Sequence, residues 1–213
     1  MGIELSNLTF TEQDDIVPAS GVEEIFNSGI VNTLAGNDII IGGGSRFSFV
    51  NHGVINTGDG DDILIGTGIQ GIGIFNNKQT IDTGDGDDTI TGIGNYALYN
   101  DGTINTGNGD DSIIADGSIY GFYSVINGYW FLGEGDDYIK GYGYGDFYGG
   151  NGNDTLELTP GTYTVGIYGE GGESLTFTKN NQLMITSEFE KLIAGSTIYD
   201  FTSLTAGQII SVC

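Results

Sequence analysis

The sequence predicts an all-β fold: a right-handed parallel β-solenoid of about six glycine-rich coils, with β-rich caps at both ends. Three observations predict it. A short glycine–aspartate phrase returns six times, a second phrase returns between its copies, and aliphatic residues fall in aligned columns. Such repeats mark one supersecondary unit that buries its apolar side only by stacking on the next unit.

The phrase is clearest at Thr57-Gly58-Asp59-Gly60-Asp61-Asp62-Ile63-Leu64-Ile65. Later copies begin at Thr83, Thr106, Leu132 and Gly149, and a worn first copy begins at Thr33. Its glycines permit positive φ and close approach of another backbone or an ion. The sixth position is aspartate every time: Asp38, Asp62, Asp88, Asp111, Asp137 and Asp154. Two residues later comes an aliphatic: Ile40, Leu64, Ile90, Ile113, Ile139 and Leu156. Period-two alternation then places the aspartate in the turn and the aliphatic in a core.

Carboxylate and carbonyl oxygens suit a hard cation, and Ca²⁺ takes about 6–8 of them. One turn cannot easily supply that many, whereas two stacked turns can. The expected ligands are the six aspartates with carbonyls of the loop glycines. These are Gly58 and Gly60, Gly84 and Gly86, Gly107 and Gly109, Gly133 and Gly135, and Gly150 and Gly152.

These phrases resemble the calcium-binding repeat of the RTX (hemolysin-type) family, G-G-x-G-x-D-x-U-x, with U a large apolar residue. Gly149 to Glu157 matches every fixed position. The Thr57, Thr83, Thr106 and Leu132 copies lack only the first glycine, and the copy at Thr33 lacks both leading glycines. The resemblance implies bound calcium, folding that depends on it, and a secreted or cell-surface protein exported in one step. The far C-terminus, Ala206 to Val212, is compatible with an uncleaved export signal of that kind.

In chain order, residues 1–22 lack the phrase and read as an N-terminal cap, with Leu5, Leu8, Phe10, Ile16 and Val17 as its apolar residues. Residues 23–158 read as the solenoid. Successive phrases lie 24, 26, 23, 26 and 17 residues apart. The first four spacings exceed two nonapeptides, so each coil holds three short strands. The added chain repeats as Asn27-Ser28-Gly29-Ile30-Val31-Asn32, Asn51-His52-Gly53-Val54-Ile55-Asn56, Asn100-Asp101-Gly102-Thr103-Ile104-Asn105 and, more loosely, Asn77 to Asp82. The stacked asparagines predict a hydrogen-bonded ladder. Val31, Ile55, Ile81 and Ile104 form one aliphatic column, and Ile25, Phe49, Phe75 and Leu98 another. Asp146 falls where a second row of sites would begin. Residues 159–213 read as a β-rich C-terminal cap, with strand-like alternation at 163–168, 175–179, 183–187 and 198–201.

Charge narrows the function classes. With 29 acids against five Lys and Arg, the net charge is −24. A polyanion disfavours nucleic acid and anionic membranes as partners. No apolar run reaches the 18 residues or so of a membrane helix. The single Cys213 excludes an internal disulfide. Met1 to Ser6 fits a myristoylation pattern, but nothing basic follows it.

Catalysis is not expected, because the one histidine, His52, and the one arginine, Arg46, stand apart from any nucleophile. Two alternatives remain open. One is a polysaccharide-modifying β-helix enzyme or its accessory module. The other is an ice-binding solenoid displaying Thr33, Thr57, Thr83 and Thr106. A cell-surface polysaccharide or protein is the expected further partner.

Overall fold

The computed structural model describes residues 2–18, 23–126, 128–169 and 174–213. It is all-β, with two single 3₁₀ turns and no α-helix among the described residues. About six stacked coils form a parallel β-solenoid. Met1 and residues 19–22 of the expected N-terminal cap lie outside the described residues.

Each full coil has three strands on three faces. The first face follows the glycine loop and holds Ile39–Gly44, Ile63–Gly68, Tyr138–Lys140 and Thr155–Leu158. The second holds Ile25–Asn27, Phe47–Asn51 and Ile72–Asn76. Two long strands, Thr89–Asn100 and Ser112–Tyr123, run across both of these faces. The third face holds Ile30–Asn32, Val54–Asn56, Thr80–Asp82, Thr103–Asn108, Tyr129–Glu134 and Gly145–Asn151. Strands on successive coils pair in parallel.

Three columns of side chains fill the interior. The first face contributes Ile40, Leu64, Ile90, Ile113, Ile139 and Leu156, and the third contributes Val31, Ile55, Ile81, Ile104, Trp130 and Phe147. The first column, and the third as far as Ile104, run as the sequence spacing predicts; Trp130 and Phe147 extend the third in register. Each such side chain contributes about 1.5–3 kcal/mol on burial.

The second-face column differs from expectation by one residue. Its members are Ile25, Phe49, Ile74, Leu98 and Phe122, so Ile74 takes the place expected for Phe75. Phe75 instead pairs with Val50 and Tyr99 in register. The turn from Asn76 to Thr80 is one residue longer than its counterparts, Asn51 to Val54 and Asn100 to Thr103, with Lys78 at positive φ, so counting back from Ile81 overshoots by one. A one-residue shift exchanges the faces. For the same reason the asparagine ladder runs through Asn76, not Asn77. Asn27, Asn51, Asn76 and Asn100 are buried, and each Nδ2 donates to Oδ1 of the next at 2.9, 2.9 and 2.8 Å. Asn77 turns outward and reaches Nδ1 of His52.

The short 17-residue coil has shed its second-face strand, of which only a bridge between Phe122 and Gly143 remains. The ends extend the stack. Ile3–Glu4 pairs with Ile25–Asn27, and Ile16–Val17 pairs with Ile39–Gly44. Beyond the last loop, Gln182–Ser187 continues the third face and Lys191–Ala194 the first. Gly161–Tyr168, Ser174–Lys179 and Gln182–Ser187 form an antiparallel meander across the end. Ile209–Val212, within the segment read as an export signal, pairs with Gly161–Tyr168 and buries Ile210.

Candidate metal centre: a column of buried aspartates

The glycine loops stack at the corner between the third and first faces. Their first glycines have positive φ, 103° at Gly58 and 102° at Gly84. A Cβ on Gly84 would lie 1.9 Å from the carbonyl oxygen of Gly58. Glycine here is therefore a requirement of loop-on-loop stacking.

Two ladders of carboxylates join the loops, and they run in opposite directions. In the inner ladder the N–H of Asp38 donates to Oδ1 of Asp62 at 2.7 Å, and Asp62 to Asp88 at 2.8 Å. Asp88 donates to Asp111, Asp111 to Asp137 and Asp137 to Asp154, at 2.8, 2.8 and 2.9 Å. In the outer ladder each N–H points back to the preceding coil. Asp87 donates to Asp61, Asp110 to Asp87 and Asp136 to Asp110, at 3.0, 2.9 and 2.8 Å. The inner aspartates are buried and the outer ones solvated.

The ends of the inner ladder were not legible as site residues. The N–H of Asp15 donates to Oδ1 of Asp38, and Glu190 in the C-terminal cap accepts the N–H of Asp154 at 2.7 Å. Glu190 thus supplies the carboxylate that a seventh aspartate would have supplied. It lies outside any glycine phrase, so no sequence signal marked it.

Every inner aspartate keeps one oxygen, Oδ2, buried and without a hydrogen-bond partner. The threonine at the first loop position lies beside it, Thr57 beside Asp62 and Thr83 beside Asp88. Those hydroxyl protons are committed elsewhere. Thr33 donates to the carbonyl of Thr57, Thr57 to Thr83, Thr83 to Thr106 and Thr106 to Leu132, at 2.7–3.1 Å. In the last copy the first position is Gly149, where a Cβ would lie 2.6 Å from Oδ2 of Asp154. The four threonines are fully buried, so they form no surface row for ice.

Burial without a partner raises these carboxyls. Desolvation pushes Asp88, Asp111 and Asp137 up to about 7 and Asp154 up to about 6, against hydrogen bonds that lower them. Asp38 and Asp62 are raised for the same reason. An unpaired buried charge is costly, and such a group either neutralises or takes a counter-charge.

The donor set is uneven. The carbonyl of Gly58 accepts the N–H of Asp85 and that of Gly84 the N–H of Asn108, so stacking already uses them. Among the described residues no N–H reaches the carbonyls of Gly60, Gly86, Gly109 or Gly135. Two neighbouring coils therefore offer two unpaired carboxylate oxygens and two unpaired carbonyls, with water to supply the rest. That is oxygen-only chemistry suited to Ca²⁺. Among the described residues no three acidic, His or Cys side chains converge on one point. A cation here would depend on main-chain oxygens and on both neighbouring coils.

Asp146 begins no second row. Its neighbours in register are Tyr129 and Ile185. His52 and Arg46 rest against an aromatic patch, His52 edge-on to Phe75 and the guanidinium of Arg46 over Phe47. No helix is long and apolar enough to cross a membrane among the described residues. No family model, curated protein or solved structure matches the chain.

Proposed function

We propose that the chain is a calcium-binding solenoid of the RTX (hemolysin-type) kind, exported and acting outside the cell as a structural or interaction protein. Calcium held along the inner aspartate column makes its folding calcium-dependent. The observation that carries this reading is the row of six buried carboxylates, each with one unpaired oxygen. A fold that buries six such groups in register, on a chain of charge −24, needs positive charge to hold them ionised.

Asp62, Asp88, Asp111 and Asp137, each with a coil on either side, would hold the ions with the carbonyls of Gly60, Gly86, Gly109 and Gly135. Calcium supplies the positive charge there. The chain's own contribution is the stacking that places one free carboxylate oxygen per coil. Because sites are shared between coils, binding energy becomes folding energy. Affinities of about 10⁻⁴–10⁻³ M suit an extracellular module. The chain would then stay loose where calcium is scarce and fold on export.

Isothermal titration calorimetry of the chelator-stripped chain tests this. The expected result is several calcium ions per chain, heat unmatched by magnesium, and loss of sites in Asp88→Ala. No calcium heat, or an equal response to magnesium, would overturn the reading.

A further inference from the structure

On the outer side of the third face an aromatic stack is interrupted. Phe131 and Tyr148 are register neighbours and stack, with centroids 4.9 Å apart and planes 19° from parallel. Tyr129 lies beside Phe131 at 10°. The next residue in that row is Ser187, then Ser174, then Tyr168. At about 4.8 Å per strand, the backbones at Tyr148 and Tyr168 stand about 14 Å apart, with two small side chains between them. A stacked ring uses one face, so the other face of Tyr148 turns to this gap. The gap is a slot of about 470 Å³, within the range of small-ligand sites.

The charged groups of the slot are of one sign. Its floor is the Ser174 and Ser187 hydroxyls, 2.7 Å apart, and its sides bear Asp146 and Glu188. The Asp146 carboxylate is half-buried and has no hydrogen-bond or ion-pair partner among the described residues. Among the described residues no cation lines the slot. The aromatic patch of Phe75, Tyr99 and Tyr123 differs, because its rings meet at 59° and 86° and so pack against one another.

We propose that this slot binds a neutral pyranose unit of a glycan, stacked on Tyr148 in the place where the aromatic row is missing. A sugar ring presents C–H faces to an aromatic plane and hydroxyl donors around its edge. The two carboxylates accept those donors. A uronate is excluded by Asp146, Glu188 and the net charge of −24. A planar aromatic ligand would cover Tyr148 but leave both carboxylates unpaired. The slot lies on the outer side of the third face; Glu188 borders Asp154, but no inner aspartate lines the slot, and the inference does not rest on calcium occupancy.

The test is saturation-transfer NMR and calorimetry on the full chain with neutral trisaccharides of glucose, galactose and N-acetylglucosamine, against trigalacturonate and p-cresol. At least one neutral trisaccharide should bind at least about tenfold more tightly than either control. Ser187→Tyr, which fills the slot, and Tyr148→Leu, which removes the ring, should each weaken it at least about tenfold with the circular dichroism spectrum unchanged. Asp146→Asn should weaken it less. Absence of binding by every neutral sugar at millimolar concentration overturns the proposal. So does unchanged binding in a folded Ser187→Tyr chain, or tighter binding of the uronate or the phenol.

Discussion

The main-chain N–H of Asp62 donates to Oδ1 of Asp88 across 2.8 Å, and Oδ2 of Asp88 remains buried without a partner. One oxygen of each aspartate therefore belongs to the fold and the other has no partner. This division makes the column both a structural ladder and a charge problem. Its consequences can be measured.

The first consequence concerns pH. The folded-state values of Asp88, Asp111 and Asp137 are raised to about 7 from an ordinary 3.8. A group raised in the folded state favours folding fully below its unfolded value. That contribution is lost as pH rises through the folded value. The metal-free chain should therefore lose stability steadily between about pH 4 and about pH 7. Calcium binding should release protons and tighten over the same window. Thermal melts in chelator at pH 5 and pH 8 check the first expectation. A higher melting temperature at pH 8 would contradict it.

Position in the column should matter. Asp88 has an aspartate coil on each side, whereas Asp38 accepts only the N–H of Asp15 on its outer side. Asp88→Ala should lower the cooperativity of the calcium transition more than Asp38→Ala. Equal midpoints and slopes for the two would argue against a shared array.

The asparagine ladder gives a prediction that depends on register alone. Asn76→Leu breaks the ladder, removing the bond from Asn51 Nδ2, the bond to Asn100 Oδ1 and the donor to the Gln79 and Thr103 carbonyls. The expected cost is about 1–3 kcal/mol in total. Asn77→Leu should change stability by no more than about 0.5 kcal/mol, as for most surface sites. Chemical denaturation of the two variants separates them, and the reverse order would show the register to be wrong.

Gly84→Ala tests the loop stacking. Its φ of 102° and the 1.9 Å approach to the Gly58 carbonyl both resist a side chain. A loss of about 1–3 kcal/mol from backbone strain alone is expected, with the clash adding to it. A neutral substitution would mean that the loops sit further apart.

Much of this was legible in the sequence, and the reason is periodicity. Ile40, Leu64, Ile90, Ile113 and Ile139 recur at a fixed offset from a glycine loop, so their column could be read without coordinates. The same loops marked the six aspartates. What periodicity could not give was register across an irregular insert. Ile74 and Phe75 are both apolar, and Asn76 and Asn77 are both asparagine, so the pattern fitted either choice. Only the pairing of Asn51 with Asn76 decides it. Whether Thr57 faced solvent or core was hidden too, because its hydroxyl is satisfied by a carbonyl in the next coil. Glu190 was invisible because the contact that places it beside Asp154 spans 36 residues.

The central claim is that the aspartate column needs calcium to fold. The most direct measurement is far-UV circular dichroism of the purified chain, titrated from chelator to millimolar calcium with magnesium as control. The account predicts a cooperative transition from disordered chain to β-structure as calcium is added, absent with magnesium. A chain fully β in chelator at pH 8, with no change on adding calcium, would contradict it.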